Sequence, residues 1–219
     1  MARDLAIVLN NGSVNSAVAT AMAAQKYRTL LLYADAVADP ASRVKQAYDL
    51  QVAYFKPYRE HTLLLPFLAH LTERATPQQT GNDPRQPTPL GPQLVAMLPL
   101  IASAAALAVQ YEASAIYTGL RVGPGADELA QATEFIQIWN EMLQTPCGAS
   151  ELEVVAPLLE LEPWQVVDVG FHVAAPFERT WSCFDDGAEP CWACRHCRAR
   201  EAAFTQAGKP DPLRAVRKP

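Results

Sequence analysis

Apolar residues in this chain gather in short runs, set between turn residues and longer stretches of helical spacing. Residues 5–9, Leu-Ala-Ile-Val-Leu, are unbroken and stop at Asn10-Asn11-Gly12. A run that short and apolar on both faces predicts a buried strand of parallel sheet. Residues 14–24 are rich in alanine and predict a helix, and Thr-Leu-Leu-Leu-Tyr at 29–33 predicts a second strand. A helix is predicted over 41–50, with Val44, Ala47 and Tyr48 on one face, and a third strand over 61–65. Residues 75–92 break the pattern. Pro77, Pro84, Pro87, Pro89 and Pro92 stand there among Gln, Thr, Asn and Gly, which predicts a long irregular loop or lid.

The second half predicts a helix over 93–112, a strand over 114–118 ending at Gly119, and a helix over 126–144. In the last of these, Leu129, Ile136, Trp139 and Leu143 form a stripe flanked by Phe135, Ile138 and Met142. A face that wide can serve a core and a subunit contact together, so a homodimer is expected. Residues 152–156 predict the last strand. Pro163 opens the next helix as a first-turn proline, and Gly170 is expected to end it. A final helix is predicted over 198–207. Strands alternating with helices give an α/β fold, a Rossmann-like parallel sheet with helices on both faces.

Half of the 219 residues are hydrophobic, enough for one α/β domain over 1–175, a small appendage over 176–207 and a tail over 208–219. The net charge of −5 makes nucleic acid an unexpected partner, although Arg195, Arg198, Arg200, Lys209, Arg214, Arg217 and Lys218 make the end of the chain basic. The longest apolar stretch, 94–109, contains Pro99 and Ser103 and falls short of the ~20 residues a bilayer requires, so a buried helix and no membrane partner are expected. The opening Met-Ala-Arg-Asp leads directly into strand pattern without a signal-peptide pattern, and a cytoplasmic location is expected.

Cys183, Cys191, Cys194 and Cys197 are spaced C-x7-C-x2-C-x2-C. Four thiolates so close in sequence can surround one zinc ion tetrahedrally and leave no position for water, so the centre is expected to be structural. Asp186-Gly187 and Pro190 supply the bend that returns Cys183 to the other three. The same residues are compatible with disulfides or a redox C-x2-C pair, which would need a different compartment or role. His196 is an alternative ligand. Cys147 is isolated and expected to be a half-buried thiol.

The first turn, Asn10-Asn11-Gly12-Ser13-Val14-Asn15-Ser16, carries small residues from a strand into a helix N-terminus. Such a turn offers backbone N–H groups to an anion. Gly12 would let a phosphate approach the backbone, and Ser13 and Ser16 could donate hydroxyls. Many α/β proteins turn this way with nothing bound.

Turn and cysteines together resemble the 7-cyano-7-deazaguanine synthase family of the PP-loop ATP pyrophosphatase group. Thr180-Trp181-Ser182-Cys183, the three later cysteines and Ala203-Phe204 match the family's C-terminal pattern. Pro157-Leu158, Gly170 and the second-strand Asp35 also fall in place. The resemblance implies an adenine nucleotide alpha hydrolase-like fold, nucleotide binding at residues 10–16 and Asp35, structural Zn2+, and ATP with Mg2+ as reactants. It further implies a small-molecule substrate, 7-carboxy-7-deazaguanine, activated as an acyl-adenylate, converted by ammonia to an amide and then dehydrated to the nitrile.

Departures fall on the chemistry. Against the family's Ser-Gly-Gly-x-Asp-Ser the chain has Asn11-Gly12-Ser13-Val14-Asn15-Ser16. Asn15 offers a dipole where an aspartate would offer a charge, which weakens a hard cation's site. The family's Pro-x-Arg-Asn falls on Val95-Ala96-Met97-Leu98, so an anion-binding arginine is missing. The Tyr-Pro-Asp-Cys-Arg stretch is absent near Gly123-Pro124-Gly125-Ala126-Asp127, and Pro163 replaces a lysine. Arg121 and Asp127 remain as polar candidates near the site and are read as surface residues. No catalytic residue is assigned. Two functions therefore stand beside each other: a diverged ATP-dependent ligase, and a non-catalytic relative that binds nucleotide or protein.

Overall fold

In a computed structural model, residues 4–35, 39, 42–67 and 90–215 are described. Five parallel strands form one sheet: β1 (Leu5–Leu9), β2 (Arg28–Asp35), β3 (Arg59–Leu64), β4 (Ala115–Tyr117) and β5 (Glu153–Val155), in the order β3-β2-β1-β4-β5. The helices are α1 (Val14–Lys26), α2 (Arg43–Phe55), α3 (Leu90–Tyr111), α4 (Ala126–Gln144), α5 (Pro163–His172), α6 (Arg195–Gln206) and the short α7 (Pro212–Ala215), with a 3-10 turn at Phe177–Arg179. The expected α/β class, with helices on both faces, is the observed one.

Alternation along the strands sorts the two faces. Leu5, Ile7, Leu30, Leu32 and Ile116 point toward α3 and α4, where they meet Ile101, Ala104, Ala108, Trp139 and Leu143. Ala6, Val8, Leu31, Tyr33 and Tyr117 point toward α1 and α2, where they meet Ala23 and Tyr48. The alanines of α1 let it lie between the sheet and a second apolar layer. Val18, Ala19 and Ala21 pack there with Val166 and Val167 of α5, Phe177, and Ala203 and Phe204 of α6. The C-terminal segment is thus joined to the α/β layer through a shared core.

Three expectations need correction. Helix α5 continues through Gly170 to His172. A Cβ on Gly170 would lie 2.2 Å from Cζ of Phe177 and 2.8 Å from Cγ2 of Val18, so the glycine serves close packing and not helix termination. Helix α3 begins at Leu90, so the last three residues of the expected loop are helical, and residues 75–89 lie outside the described residues. Pro99 and Ser103 do not shorten α3 either. Ser103 donates its hydroxyl to the Pro99 carbonyl at 2.8 Å and is accommodated within the helix. At 22 residues α3 is long and apolar enough to cross a membrane by length and composition. One face of it is packed on the sheet, while Val95, Leu98 and Val109 are exposed.

Candidate active site and metal centre

The strand order reverses at β1, whose neighbours β2 and β4 lead to opposite edges. A parallel α/β sheet opens a ligand crevice at the C-terminal ends of its strands at such a point. The turn 10–16 leaves β1 there. Asn10 is buried and organises it: its Nδ2 donates to Thr20 Oγ1 and Gln51 Oε1, both at 2.9 Å, while its Oδ1 accepts from the Gly12 N–H at 2.8 Å and from the Ser16 hydroxyl at 3.2 Å. Ser13 caps α1, its Oγ accepting from the Ser16 N–H at 3.3 Å. The first turn of α1 contains no acidic residue, which suits an anion at the positive end of the helix.

Gly12 also answers a packing demand. Its φ is +76°, and it lines neither cavity at the turn. A Cβ there would lie 2.6 Å from the Val44 carbonyl oxygen and 3.0 Å from the Tyr48 nitrogen, so the missing side chain faces α2. Its carbonyl accepts from the Trp181 N–H at 2.9 Å, which ties the turn to the cysteine segment. Asp35, at the end of β2, also lines neither cavity.

Two cavities flank the turn and share Asn11, Ser13 and Asn15. One, of about 360 Å3, is walled by Leu9, Leu32, Ala34, Met97, Leu100 and Leu120 together with Asn10 and Ser16. Apolar walls leading to a polar turn suit a flat base with phosphates beyond it. The other, of about 450 Å3, lies toward the cysteine segment and includes Val14, Arg121, Trp181, Phe184, His196 and Phe204. Arg121 is therefore a half-buried wall residue, not the surface residue that was expected; Asp127 is exposed and lines neither. Among the described residues no Asp or Glu lines either cavity. These walls do not fit a Mg2+ ion held by protein carboxylates.

The four sulfurs of Cys183, Cys191, Cys194 and Cys197 lie within 4.8 Å of one another. Cys183 Sγ is 3.4 Å from Cys191 Sγ and 3.9 Å from Cys194 Sγ. Disulfide sulfurs would be about 2.05 Å apart, so the disulfide alternative fails. Four sulfurs at ~2.3 Å from a tetrahedral centre would be spaced much as these are, and the donor set fits one thiophilic metal ion. Backbone N–H groups point at the sulfurs: Asp185 and Cys191 toward Cys183, and Cys194 toward Cys191, each at 3.3 Å. Trp192 takes φ +54° within the knuckle. Donation from the Ala193 and Cys194 N–H groups pulls the Cys191 thiol down to about 6. Burial pushes the Cys183 and Cys197 thiols up. His196 packs edge-on against Phe184, centroids 4.2 Å apart, and the sulfur cluster does not include it. Cys147 is exposed, not half-buried, because it lies beyond the end of α4.

Sequence reading missed two fastenings of this segment. Arg43, at the start of α2, donates from Nε to the Gly187 carbonyl at 2.7 Å and from Nη2 to the Ala188 carbonyl, while its N–H donates to Asp186 Oδ1 at 2.9 Å. Arg200 is buried in α6. It pairs with Asp211 at 2.7 and 2.8 Å, and also donates to Thr180 Oγ1 at 2.6 Å and the Phe177 carbonyl at 2.9 Å. The Thr180-Trp181-Ser182-Cys183 stretch thus joins three parts: Thr180 to α6, Trp181 to the turn, and Cys183 to the sulfur cluster.

The model for the family described as Queuosine biosynthesis protein QueC matches residues 5–208. A 7-cyano-7-deazaguanine synthase of Methanothrix thermoacetophila is 33% identical over 115 residues, 52% of this chain and 51% of its own length, so the chain spans about half the length of that relative. One of the same name from Chloroherpeton thalassium is 26% identical over 216 residues, 95% of each chain. The NMN synthetase structure from Francisella tularensis, 15% identical, aligns over 95% of this chain and 79% of its own at a TM-score of 0.49. With 204 consecutive residues matched, from Leu5 to Gly208, the chain belongs to the family of the queuosine biosynthesis protein QueC.

Proposed function

We propose that this chain is an ATP-dependent carbon–nitrogen ligase of the 7-cyano-7-deazaguanine synthase type. In this reading the 360 Å3 cavity takes the adenosine of ATP, with its phosphates at Asn11, Ser13 and Asn15. The 450 Å3 cavity takes the deazapurine acid. The observation that carries the reading is that both cavities open onto the same three residues, so the carboxylate and the α-phosphate can meet there. Ammonia displaces AMP from the resulting acyl-adenylate to give an amide, and a second activation removes its oxygen to give the nitrile. The chain's own residues position the reactants and supply helix-terminal N–H groups to the phosphates. No carboxylate among the described residues lines either cavity, so the walls themselves would not hold a magnesium ion.

The four cysteines hold a structural zinc ion in this proposal, and a reducing cytoplasm keeps their thiols free. Elemental analysis tests the ion: one zinc per chain and no visible absorption band are expected, whereas iron with a visible band would replace zinc by a cluster. The expected homodimer would use the exposed Ile138 and Met142 of α4.

The decisive experiment follows ATP conversion to AMP with 7-carboxy-7-deazaguanine and ammonium, using metal-loaded protein. AMP and nitrile formation above background are expected. ATP binding without turnover would instead favour the non-catalytic relative, a reading supported by the absence of carboxylates among the described residues of the cavity walls. Asn15→Asp adds the missing charge at the turn, and tighter binding of Mg·ATP is expected from it.

A further inference from the structure

We propose that Arg121 is the specificity-determining residue of the 450 Å3 cavity, pairing with the carboxylate of a planar aromatic acid bound there. The assignment of that cavity to the acid rests on the reading above; the role of Arg121 as an anion anchor rests on the residues around it.

Two arginines line this cavity, and only one has donors to spare. Arg200 spends its guanidinium on Asp211, Thr180 and Phe177. Arg121 makes a single hydrogen bond, from Nη1 to the Leu161 carbonyl at 3.2 Å, and forms no ion pair among the described residues. A guanidinium carries five N–H donors in a planar fork. Most of this one is therefore unused, although the side chain is half-buried. Burial disfavours its charge, with Glu162 acting in the opposite sense nearby. A group that has lost hydration and holds unused donors favours an anion that can enter and pair with it.

The backbone fixes where the fork is held. The N–H groups of Val122 and Gly123 both donate to the Leu159 carbonyl, at 2.9 and 3.1 Å, and Leu120 N–H donates to Thr118 Oγ1 at 3.2 Å. The segment leaving β4 is thereby tied to the segment that precedes α5. The same cavity is lined by aromatic residues. Phe184 is 72% exposed, and Trp181 is buried with its indole N–H unpaired, the one such side-chain atom among the described residues. An orphaned buried donor beside a cavity is a rare feature that a bound polar ligand would explain. Aromatic walls suit a flat ring, and a planar fork suits a carboxylate, so a flat acid matches both.

The test uses the metal-loaded full chain and calorimetry with three probes: 7-carboxy-7-deazaguanine, the corresponding neutral amide, and ATP. Wild type should bind the acid at least tenfold more tightly than the amide. Arg121→Gln should weaken the acid by about 10-fold or more, the worth of a charge-assisted bond, and leave the amide and ATP unchanged. Arg121→Lys, which keeps charge without the fork, should fall between. ATP binding and the circular dichroism of each variant report folding. Equal affinity of wild type and Arg121→Gln for the acid overturns the inference, as does a wild type that binds neither acid nor amide. AMP formation undiminished in Arg121→Gln sinks this inference alone. An acid that binds through Arg121 without any AMP formation in wild type sinks the proposed function and leaves the anchor in place.

Discussion

Gly12→Ala separates two reasons for a glycine in the turn. If the residue is needed for phosphate approach, the substitution costs nucleotide affinity. If it is needed for packing, the cost appears in stability without ligand. The structure favours packing, and the cost can be worked out. A non-glycine residue in the left-handed region, here at φ +76°, costs about 1–2 kcal/mol. The new Cβ would also lie 2.6 Å from the Val44 carbonyl oxygen and 3.0 Å from the Tyr48 nitrogen. Both are backbone atoms of α2 and cannot swing aside, so the helix or the turn must shift, at a further ~1–3 kcal/mol. The sum is about 2–5 kcal/mol. The turn would move away from α2 and strain the Trp181 N–H bond to the Gly12 carbonyl. Urea unfolding of the ligand-free, metal-loaded protein measures the loss as a lower midpoint at unchanged slope. A loss under ~0.5 kcal/mol, accompanied by a large fall in ATP affinity, would refute the packing argument and restore the phosphate role.

Other consequences can be measured on the same protein. Cys191→Ser, or stripping by a chelator, should remove the metal and lower Tm by several degrees, because Arg43, Trp181 and α6 are fastened to that segment; metal loss without any change in Tm would contradict this. Arg200→Met alone should destabilise by about 3–5 kcal/mol by leaving Asp211 buried and unpaired, and adding Asp211→Leu should recover much of it; equal instability of single and double variants would show that the pair is not the cause. Burial, with Asp35 next, pushes the Tyr33 phenol up to about 12, and burial also raises Tyr48 and Tyr117. The unfolded chain releases these protons near pH 10, so their contribution to stability is intact below that pH and is lost as pH rises through the folded values. Ultraviolet titration should show phenols ionising late, and a Tyr33→Phe trace superimposable on wild type would count against the assignment.

What the amino-acid order determined by itself is local. Strand β1 was legible because five consecutive apolar residues have one stable use in an α/β protein, and helix 126–144 because its apolar stripe recurs at helical spacing. The cysteine cluster was legible because its four thiols lie within 15 residues, close enough for spacing to limit geometry. Single residues were misread where a distant neighbour decides their role. Gly170 looks like a helix stop until Phe177 and Val18 are seen against it, and the close approach of α2 to Gly12 leaves no local signal. Arg121 looks like a surface residue because Leu161, its one hydrogen-bond partner, and most of the cavity it lines belong to segments far along the chain. The two cavities join residues near 13, 100, 120, 181 and 200, and the Arg200–Asp211 pair is held by Thr180 and Phe177. Such juxtapositions follow from strand order and crossover packing, which place distant residues together, and local periodicity carries no record of them.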